Sequence, residues 1–160
     1  MNEKSNISDR TKEVVGKVLE KYPDLHFVIS TGRPRVAITR IRETLGITER
    51  PNTESLLSNG CVLYDSKGEI IWQKIIPTEF VVKFHEFVKS YPEGVYFYAA
   101  GDDTLAINEK WAKPKNETEN DERALAKEKL LADILSGNKM VNKVSFFFYK
   151  CPDVEGKIIK

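Results

Sequence analysis

Apolar and polar residues alternate along the first third of the chain in a pattern that predicts a helix, a strand and a second helix. Ser8 can cap a helix from about Asp9 to Lys21. Four apolar residues of this helix fall on one stripe: Val14, Val15, Val18 and Leu19. Leu25 to Ser30 predicts a strand buried on both faces, and a second helix runs from about Pro34 to Leu45, with Gly46 as its stop. Such an alternation is typical of a parallel α/β sheet.

The pattern changes after this segment to short strands joined by turns. Leu56-Leu57 and Cys61 to Tyr64 are strand candidates that flank the turn-forming pair Asn59-Gly60. Asp65 to Gly68 predicts a turn, after which Glu69 to Ile76 returns as a strand. These shorter elements extend the predicted sheet.

The second half of the chain predicts helices and hairpin strands of an α+β unit. We expect a helix from Thr78 to about Tyr91, with an inner face formed by Val81, Phe84, Phe87 and Val88. Val95 to Ala100 and Thr104 to Asn108 predict a hairpin. A helix from Glu122 to Leu135 and a strand from Val141 to Tyr149 follow.

Composition and charge narrow the class of protein. The chain has 160 residues, of which 41% are hydrophobic and 31% charged, as in a soluble globular protein. A net charge of +1 gives no electrostatic reason to expect nucleic acid or an anionic membrane as partner. No apolar run approaches the roughly 18 residues that span a bilayer, and the polar start MNEKSNISDR is no signal peptide. We therefore expect a cytoplasmic protein.

The histidines and cysteines give little indication of a catalytic or metal-binding role. His26 lies in the predicted buried strand, which favours a core residue over a catalytic one. His85 lies beside Glu86 on an amphipathic helix, where we expect it to face solvent. Cys61 and Cys151 are far apart and form no C-x-x-C spacing, so we expect two inert thiols and no structural zinc site.

The strongest chemical signal is the sequence FVISTGRP, in which Thr31, Gly32 and Arg33 follow a strand directly. Ligands of open α/β sheets bind beyond the carboxyl ends of the strands, where a helix start suits a phosphate group. The threonine hydroxyl, the close backbone approach at glycine and the guanidinium fit such a ligand. A plain strand-to-helix turn, with threonine as cap and a solvated arginine, fits the same residues.

Three motifs in order resemble the haloacid dehalogenase superfamily, more narrowly its Cof-type, sugar-phosphatase-like branch. They are the helix start ISDRT, the strand end STGRP, and the segment LLSNGCVLYDSKGEII, in which Cys61 stands where alanine is usual. The resemblance implies an α/β fold, with a partial Rossmann-like core over residues 1–76 and an incomplete α+β cap of type C2 over 77–160. It also implies hydrolysis of small phosphorylated metabolites, including sugar phosphates, with an aspartate nucleophile and magnesium.

The resemblance carries over to individual residues near the two strand ends. It implies that Thr31 holds a phosphoryl oxygen, that Gly32 allows close backbone approach, and that Arg33 helps to neutralise phosphate charge. It places Asn59 and Gly60 on the neighbouring strand end, close to the substrate entrance.

The family's other catalytic motifs find no match in the sequence. Met1-Asn2-Glu3-Lys4 stands where the strand with the nucleophilic aspartate is expected, and Lys160 precedes the expected magnesium motif. Asp102-Asp103 is no substitute, because adjacent strand residues point to opposite faces, and Lys143 falls in a cap-like strand. We therefore expect a fragment of a magnesium-dependent phosphatase that binds no magnesium and is inactive alone, and that self-associates through an exposed sheet edge. The alternative is a non-catalytic binding or assembly module on the same scaffold.

Overall fold

A computed structural model of the chain describes residues 7–90, 94–100, 103–106, 124–125 and 128–148. The chain divides into two compact units, Met1–Gln73 and Lys74–Lys160. Each unit contains helices and a four-stranded sheet, so the prediction of an α/β protein is confirmed. Among the described helices, none combines the length and the apolar character that crossing a bilayer requires.

The first unit is a mixed sheet flanked by helices. Its elements in chain order are helix α1 (Asp9–Lys21), strand β1 (Ile29–Ser30), a 3-10 turn (Arg35–Ile38), helix α2 (Thr39–Leu45), strand β2 (Ser55–Leu57), a second 3-10 turn (Ser58–Gly60), strand β3 (Val62–Tyr64) and strand β4 (Ile70–Gln73). The strand order is β1-β2-β3-β4. β1 and β2 are parallel, whereas β2, β3 and β4 pair antiparallel.

Local signals explain where these elements begin and end. The Ser8 side chain accepts a hydrogen bond from the Thr11 backbone N–H at 3.1 Å, so the predicted cap of α1 is confirmed. Gly46 adopts a left-handed φ of 68° at the end of α2, as expected of a C-terminal stop. The core of the unit consists of two buried clusters: Ile38, Leu57, Val62 and Tyr64 in one, and Leu19, Leu45 and Ile47 in the other.

The predicted strand from Leu25 to Ser30 is wrong in length and in burial. Only Ile29 and Ser30 form a strand, and the Val28 side chain is 48% exposed. β1 lies at the edge of the sheet and pairs only with β2, so one of its sides has no strand neighbour among the described residues. Val14 and Val18 of α1 are exposed as well, and the apolar stripe of that helix is therefore only partly covered.

The second unit has its own sheet and, among its described residues, one cluster of buried apolar side chains. Its elements are helix α3 (Thr78–Val88), strand β5 (Gly94–Ala100), strand β6 (Asp103–Ala106), strand β7 (Ala124–Leu125), helix α4 (Glu128–Leu135) and strand β8 (Lys143–Phe148). The strand order is β7-β6-β5-β8, and the predicted hairpin is confirmed by the antiparallel pairing of β5 with β6. The buried core residues are Val81, Tyr98, Leu105, Ile134 and Val141.

Two predictions for this unit are wrong in detail. The helix expected from Glu122 begins only at Glu128, because Ala124 and Leu125 pair in parallel with β6 as a strand. The tertiary pairing overrides a helical preference that the sequence suggested. Phe87, expected on the inner face of α3, is 45% exposed.

Both histidine predictions are wrong, and in opposite directions. His26 is exposed, and its Nδ1 lies 3.2 Å from a carboxylate oxygen of Glu54. His85 is only 5% exposed, and its Nδ1 lies 3.4 Å from the Tyr98 hydroxyl. Burial lowers the pKa of His85, and the nearby Lys89 lowers it further. The helical face that buries Val81 and Val88 thus turns His85 inward in place of Phe87.

Candidate functional site

The carboxyl ends of β1 and β2 bring two short segments of the first unit together. Thr31-Gly32-Arg33 follows the last residue of β1, and Ser58-Asn59-Gly60 follows the last residue of β2. Because the two strands are parallel neighbours, their carboxyl ends lie at the same edge of the sheet. We call these six residues the strand-end edge. It contains all five residues that the sequence predicted as phosphate- or substrate-binding, together with Ser58.

Backbone hydrogen bonds join the two segments directly. The Thr31 N–H donates to the Leu56 carbonyl at 3.0 Å and so continues the sheet by one residue. The Asn59 N–H donates to the Thr31 carbonyl at 3.3 Å, and the Ser58 N–H donates to the Arg33 carbonyl at 3.1 Å. Main-chain contacts therefore hold the Thr31-Gly32-Arg33 segment against the end of the neighbouring strand.

Gly32 lies in close contact with the side chain of Asn59. A Cβ atom at position 32 would lie 2.5 Å from the Asn59 Oδ1 atom and 3.3 Å from its Cγ. The first distance is far below van der Waals contact, so any side chain at this position would displace the Asn59 amide. The resemblance implied close backbone approach to a ligand at this glycine; the structure shows close approach to the neighbouring strand end.

The Ser58-Asn59-Gly60 segment has an unusual backbone. All three residues have positive φ values, of 52°, 60° and 85°. Glycine adopts this region freely and asparagine tolerates it, but a serine there costs on the order of 1–2 kcal/mol. Ser58 is also 2% exposed. Strained, buried residues of this kind concentrate at functional sites.

Sequence reasoning did not identify Ser58 as part of the site. The pair Asn59-Gly60 predicts a turn, but no local signal places positive φ on the serine before it. Its conformation follows from the hydrogen bond to the Arg33 carbonyl, a contact between residues far apart in the chain.

The side chains of the strand-end edge leave part of it accessible to solvent. Thr31 and Arg33 are partly buried, whereas Gly32 and Asn59 are exposed. The Thr31 hydroxyl accepts the Arg33 N–H at 3.3 Å and retains its own proton for donation to a further acceptor. A hydroxyl, a guanidinium and a carboxamide thus lie within one small surface, and all three are donors that suit an oxyanion.

The expected α-helix does not begin at this edge. Pro34 precedes a 3-10 turn over Arg35–Ile38, and α2 starts only at Thr39. The 3-10 turn begins at this position instead, and its N-terminus has fewer free N–H groups than that of an α-helix. An anion at this edge would also meet the side chains of Thr31, Arg33 and Asn59.

The strand-end edge does not fit a magnesium ion by itself. Mg²⁺ prefers carboxylate and water oxygens, and none of the six residues is an aspartate or a glutamate. Within the described ranges, no group of three or more His, Cys, Asp or Glu side chains could hold a metal ion. No catalytic step is therefore assigned to a metal at these residues.

The remaining sequence candidates lie in the second unit. Asp103 is the first residue of β6 and pairs with Ala100, while Asp102 lies outside the described residues. Lys143 is the first residue of β8 and pairs with Ala99. Both positions belong to the ladder of the second sheet.

Comparison with known proteins identifies relatives of the whole chain. The sequence matches the family model of the haloacid dehalogenase-like hydrolases over residues 1–156. An uncharacterized hydrolase of Schizosaccharomyces pombe is 50% identical over 52 residues, which cover 32% of this chain and 16% of that protein.

Two solved structures show a similar fold. An X-ray structure from Thermotoga maritima has a TM-score of 0.76 at 16% identity, and the match covers 99% of this chain and 55% of that one. A subclass IIB sugar phosphatase of the superfamily has a TM-score of 0.67 at 16% identity, over 99% of this chain and 58% of that one. The chain thus spans little more than half the length of these two proteins.

Proposed function

The chain belongs to the haloacid dehalogenase-like hydrolases, and from this premise we propose that it is the substrate-positioning part of a phosphatase acting on small phosphorylated metabolites, including sugar phosphates. The observation that carries the proposal is the strand-end edge, which brings Thr31, Arg33 and Asn59 together. Two backbone hydrogen bonds join its segments, from the Ser58 N–H to the Arg33 carbonyl and from the Asn59 N–H to the Thr31 carbonyl. The similarity in fold to a sugar phosphatase supports the substrate class.

The roles of the site residues follow from their chemistry. Thr31 donates its hydroxyl proton to a phosphoryl oxygen, and Arg33 offsets the phosphate charge with a charge-assisted hydrogen bond. Asn59 contributes its carboxamide, while Gly32 and Gly60 permit the backbone geometry that holds these groups together. Donors fixed before the substrate binds lose little free energy to reorganisation.

The two units have separate parts in this proposal. Residues 1–76 form a partial core that carries the phosphate-positioning residues, and residues 77–160 form a partial cap. The magnesium that phosphatases of this superfamily generally use would be held by carboxylates other than the residues of the strand-end edge. The chain by itself is accordingly inactive, works in the cytoplasm as part of a longer protein, and self-associates through its exposed sheet edge when isolated.

The test is an assay of phosphate release from p-nitrophenyl phosphate and a panel of sugar phosphates with excess Mg²⁺. The 160-residue chain is compared with a version extended at both ends along the gene. We expect turnover only from the extended protein, and a fall in kcat/KM of roughly 10- to 100-fold for Arg33→Ala, the equivalent of a charge-assisted hydrogen bond. The control is Lys12→Ala, which removes an exposed charge from α1.

A non-catalytic binding module remains the second candidate, because the strand-end edge offers donors for an anion but no nucleophilic carboxylate. In that case phosphate esters bind to both versions of the protein and neither version hydrolyses them. Turnover by the 160-residue chain alone, lost in Asp103→Asn, would contradict both candidates.

A further inference from the structure

A cavity of about 140 Å³ lies at the opposite end of the first sheet from the strand-end edge. Tyr64 is on its wall and pairs with Ser55, the first residue of β2, whereas Asn59 follows the last residue of that strand. The cavity is bounded by the 3-10 turn and α2 on one side and by the turn between β3 and β4 on the other. It is therefore separate from the site proposed above.

Arg42 forms the fixed part of the cavity wall. Its Nη1 donates to the Thr53 carbonyl and to the Ser55 hydroxyl, both at 2.8 Å. Its Nη2 donates to the Ser66 carbonyl at 3.1 Å, and to the Ile47 carbonyl and the Thr53 hydroxyl at 3.2 Å each. One guanidinium thus ties the helix, the strand and the turn together, and the shape of the cavity is set before any ligand arrives.

All five of these acceptors are neutral. No carboxylate of the described residues lies within 4.0 Å of the Arg42 guanidinium. Burial lowers the pKa of Arg42, and the more distant charges of Asp65 and Glu54 act in the opposite direction with smaller effect. A half-buried cation without a contacting counter-ion is costly, so a negative charge in the cavity would stabilise it.

Two further cations line the same cavity. The Arg35 guanidinium lies 5.7 Å from the centre of the Tyr64 ring and 3.5 Å from the Gly68 carbonyl. Lys67 is exposed at the rim, and its ammonium forms no hydrogen bond or ion pair with any other residue that the structure describes. A lysine ammonium and a planar guanidinium are the two side-chain groups that most often bind phosphate.

Two carboxylates, of Asp65 and Glu49, also line the cavity and would repel a bound anion. Asp65 uses its Oδ1 to accept the N–H groups of Lys67 at 2.9 Å and Glu69 at 2.8 Å, and it partly balances Arg42. Glu49 is exposed at the rim. With these two charges set against three cations, the formal charge of the lining remains positive.

We propose that this cavity binds a small oxyanion, namely phosphate, either free or as the phosphoryl group of a metabolite, in contact with Arg35 and Lys67 and beside the positive charge of Arg42. The cavity volume of about 140 Å³ is roughly ten times the ~10–15 Å³ that one water molecule needs, so a tetrahedral anion fits with part of its hydration. The proposal does not depend on the function of the strand-end edge.

The experiment is a titration of the ¹⁵N-labelled chain with inorganic phosphate, followed by amide chemical shifts at constant ionic strength. We expect saturable shifts at Thr48, Ser66, Lys67 and Gly68, and the same shifts with glucose 6-phosphate when the phosphoryl group is what binds. Sodium chloride at matched ionic strength is expected to leave these amides unchanged.

Variants separate the two sites. Lys67→Met keeps the aliphatic stem and is expected to weaken phosphate binding at the cavity amides at least threefold. Arg33→Met is expected to leave the cavity titration unchanged and to abolish shifts at Thr31 and Asn59. Lys12→Met removes the same charge from a distant exposed position and controls for non-specific attraction.

The amide shifts at the cavity and those at the strand-end edge test the two sites separately. The proposal is overturned if the cavity amides show no saturable shift, if chloride reproduces it, or if Lys12→Met weakens it as much as Lys67→Met does. Absence of shifts at Thr31 and Asn59 alone would instead count against the strand-end edge as a phosphate site.

Discussion

The two ends of the first sheet hold polar groups in opposite ways. At the strand-end edge, main-chain bonds between Thr31, Arg33, Ser58 and Asn59 join the two segments, and the side chains of Thr31, Arg33 and Asn59 are at least partly exposed. At the other end, one side chain, that of Arg42, makes five hydrogen bonds within the protein. The comparison indicates that main-chain bonds hold the first end together, whereas the second end depends on one arginine side chain.

The largest effect is expected from Arg42→Met. The change removes five hydrogen bonds and leaves the buried groups of Thr53 and Ser55 without a donor, which should lower the free energy of unfolding by about 3 kcal/mol. Urea denaturation of the chain measures it. Arg40→Met, an exposed neighbour on the same helix, is the matched control and should change stability by less than about 0.5 kcal/mol. Equal effects would remove the distinction between the two ends.

Gly32→Ala tests the close approach at the strand-end edge. The added methyl would meet the Asn59 Oδ1 atom at 2.5 Å. Because Asn59 is exposed, its carboxamide can turn away, and we expect a loss of no more than about 1 kcal/mol. Asn59→Gly in the same background should recover part of that loss, because it removes the clashing amide and suits the φ of 60° at that position. Both changes are followed by urea denaturation.

Gly16→Ala provides a control of opposite sign. A Cβ at position 16 would meet nothing within 4 Å, and the residue lies inside α1. Alanine should therefore stabilise the chain by about 0.5–1 kcal/mol. A loss of stability at both glycines would mean that the close approach to Asn59 is not the cause.

The buried His85 predicts how the stability of the chain depends on pH. Because burial lowers the pKa of His85 in the folded state, the unfolded state binds its proton more readily. Stability from this residue is full above the unfolded pKa of about 6.5 and is lost as the pH falls below it. The free energy of unfolding should therefore fall between pH 7 and pH 5, and it should fall less in His85→Gln than in the parent chain.

The smallest effect on stability is expected from Arg33→Met. The Arg33 backbone carbonyl still accepts the Ser58 N–H after the change. A contact of a partly exposed arginine side chain contributes about 0–1 kcal/mol, so the free energy of unfolding should fall by less than about 1 kcal/mol. Phosphate-induced amide shifts at Thr31 and Asn59 should nevertheless disappear. A large loss of stability would assign Arg33 the same structural role as Arg42.

Most element positions could be predicted from local signals. The cap at Ser8, the stop at Gly46, the turn from Asp65 and the hairpin between β5 and β6 depend on residues close in sequence. Burial was predicted less well, as Val28, His26 and His85 show. The apolar composition of a strand predicts that it is buried, but its exposure depends on whether another element covers it.

The sequence by itself determined the α/β class, the family and the five residues that meet at the strand-end edge. These follow from local propensities and from motifs whose residues are contiguous in the chain. Only the tertiary structure revealed the positive φ of Ser58, the close approach of Gly32 to Asn59, and the role of Arg42. The physical reason is that each of these depends on atoms from segments far apart in sequence, whose distances no local pattern encodes.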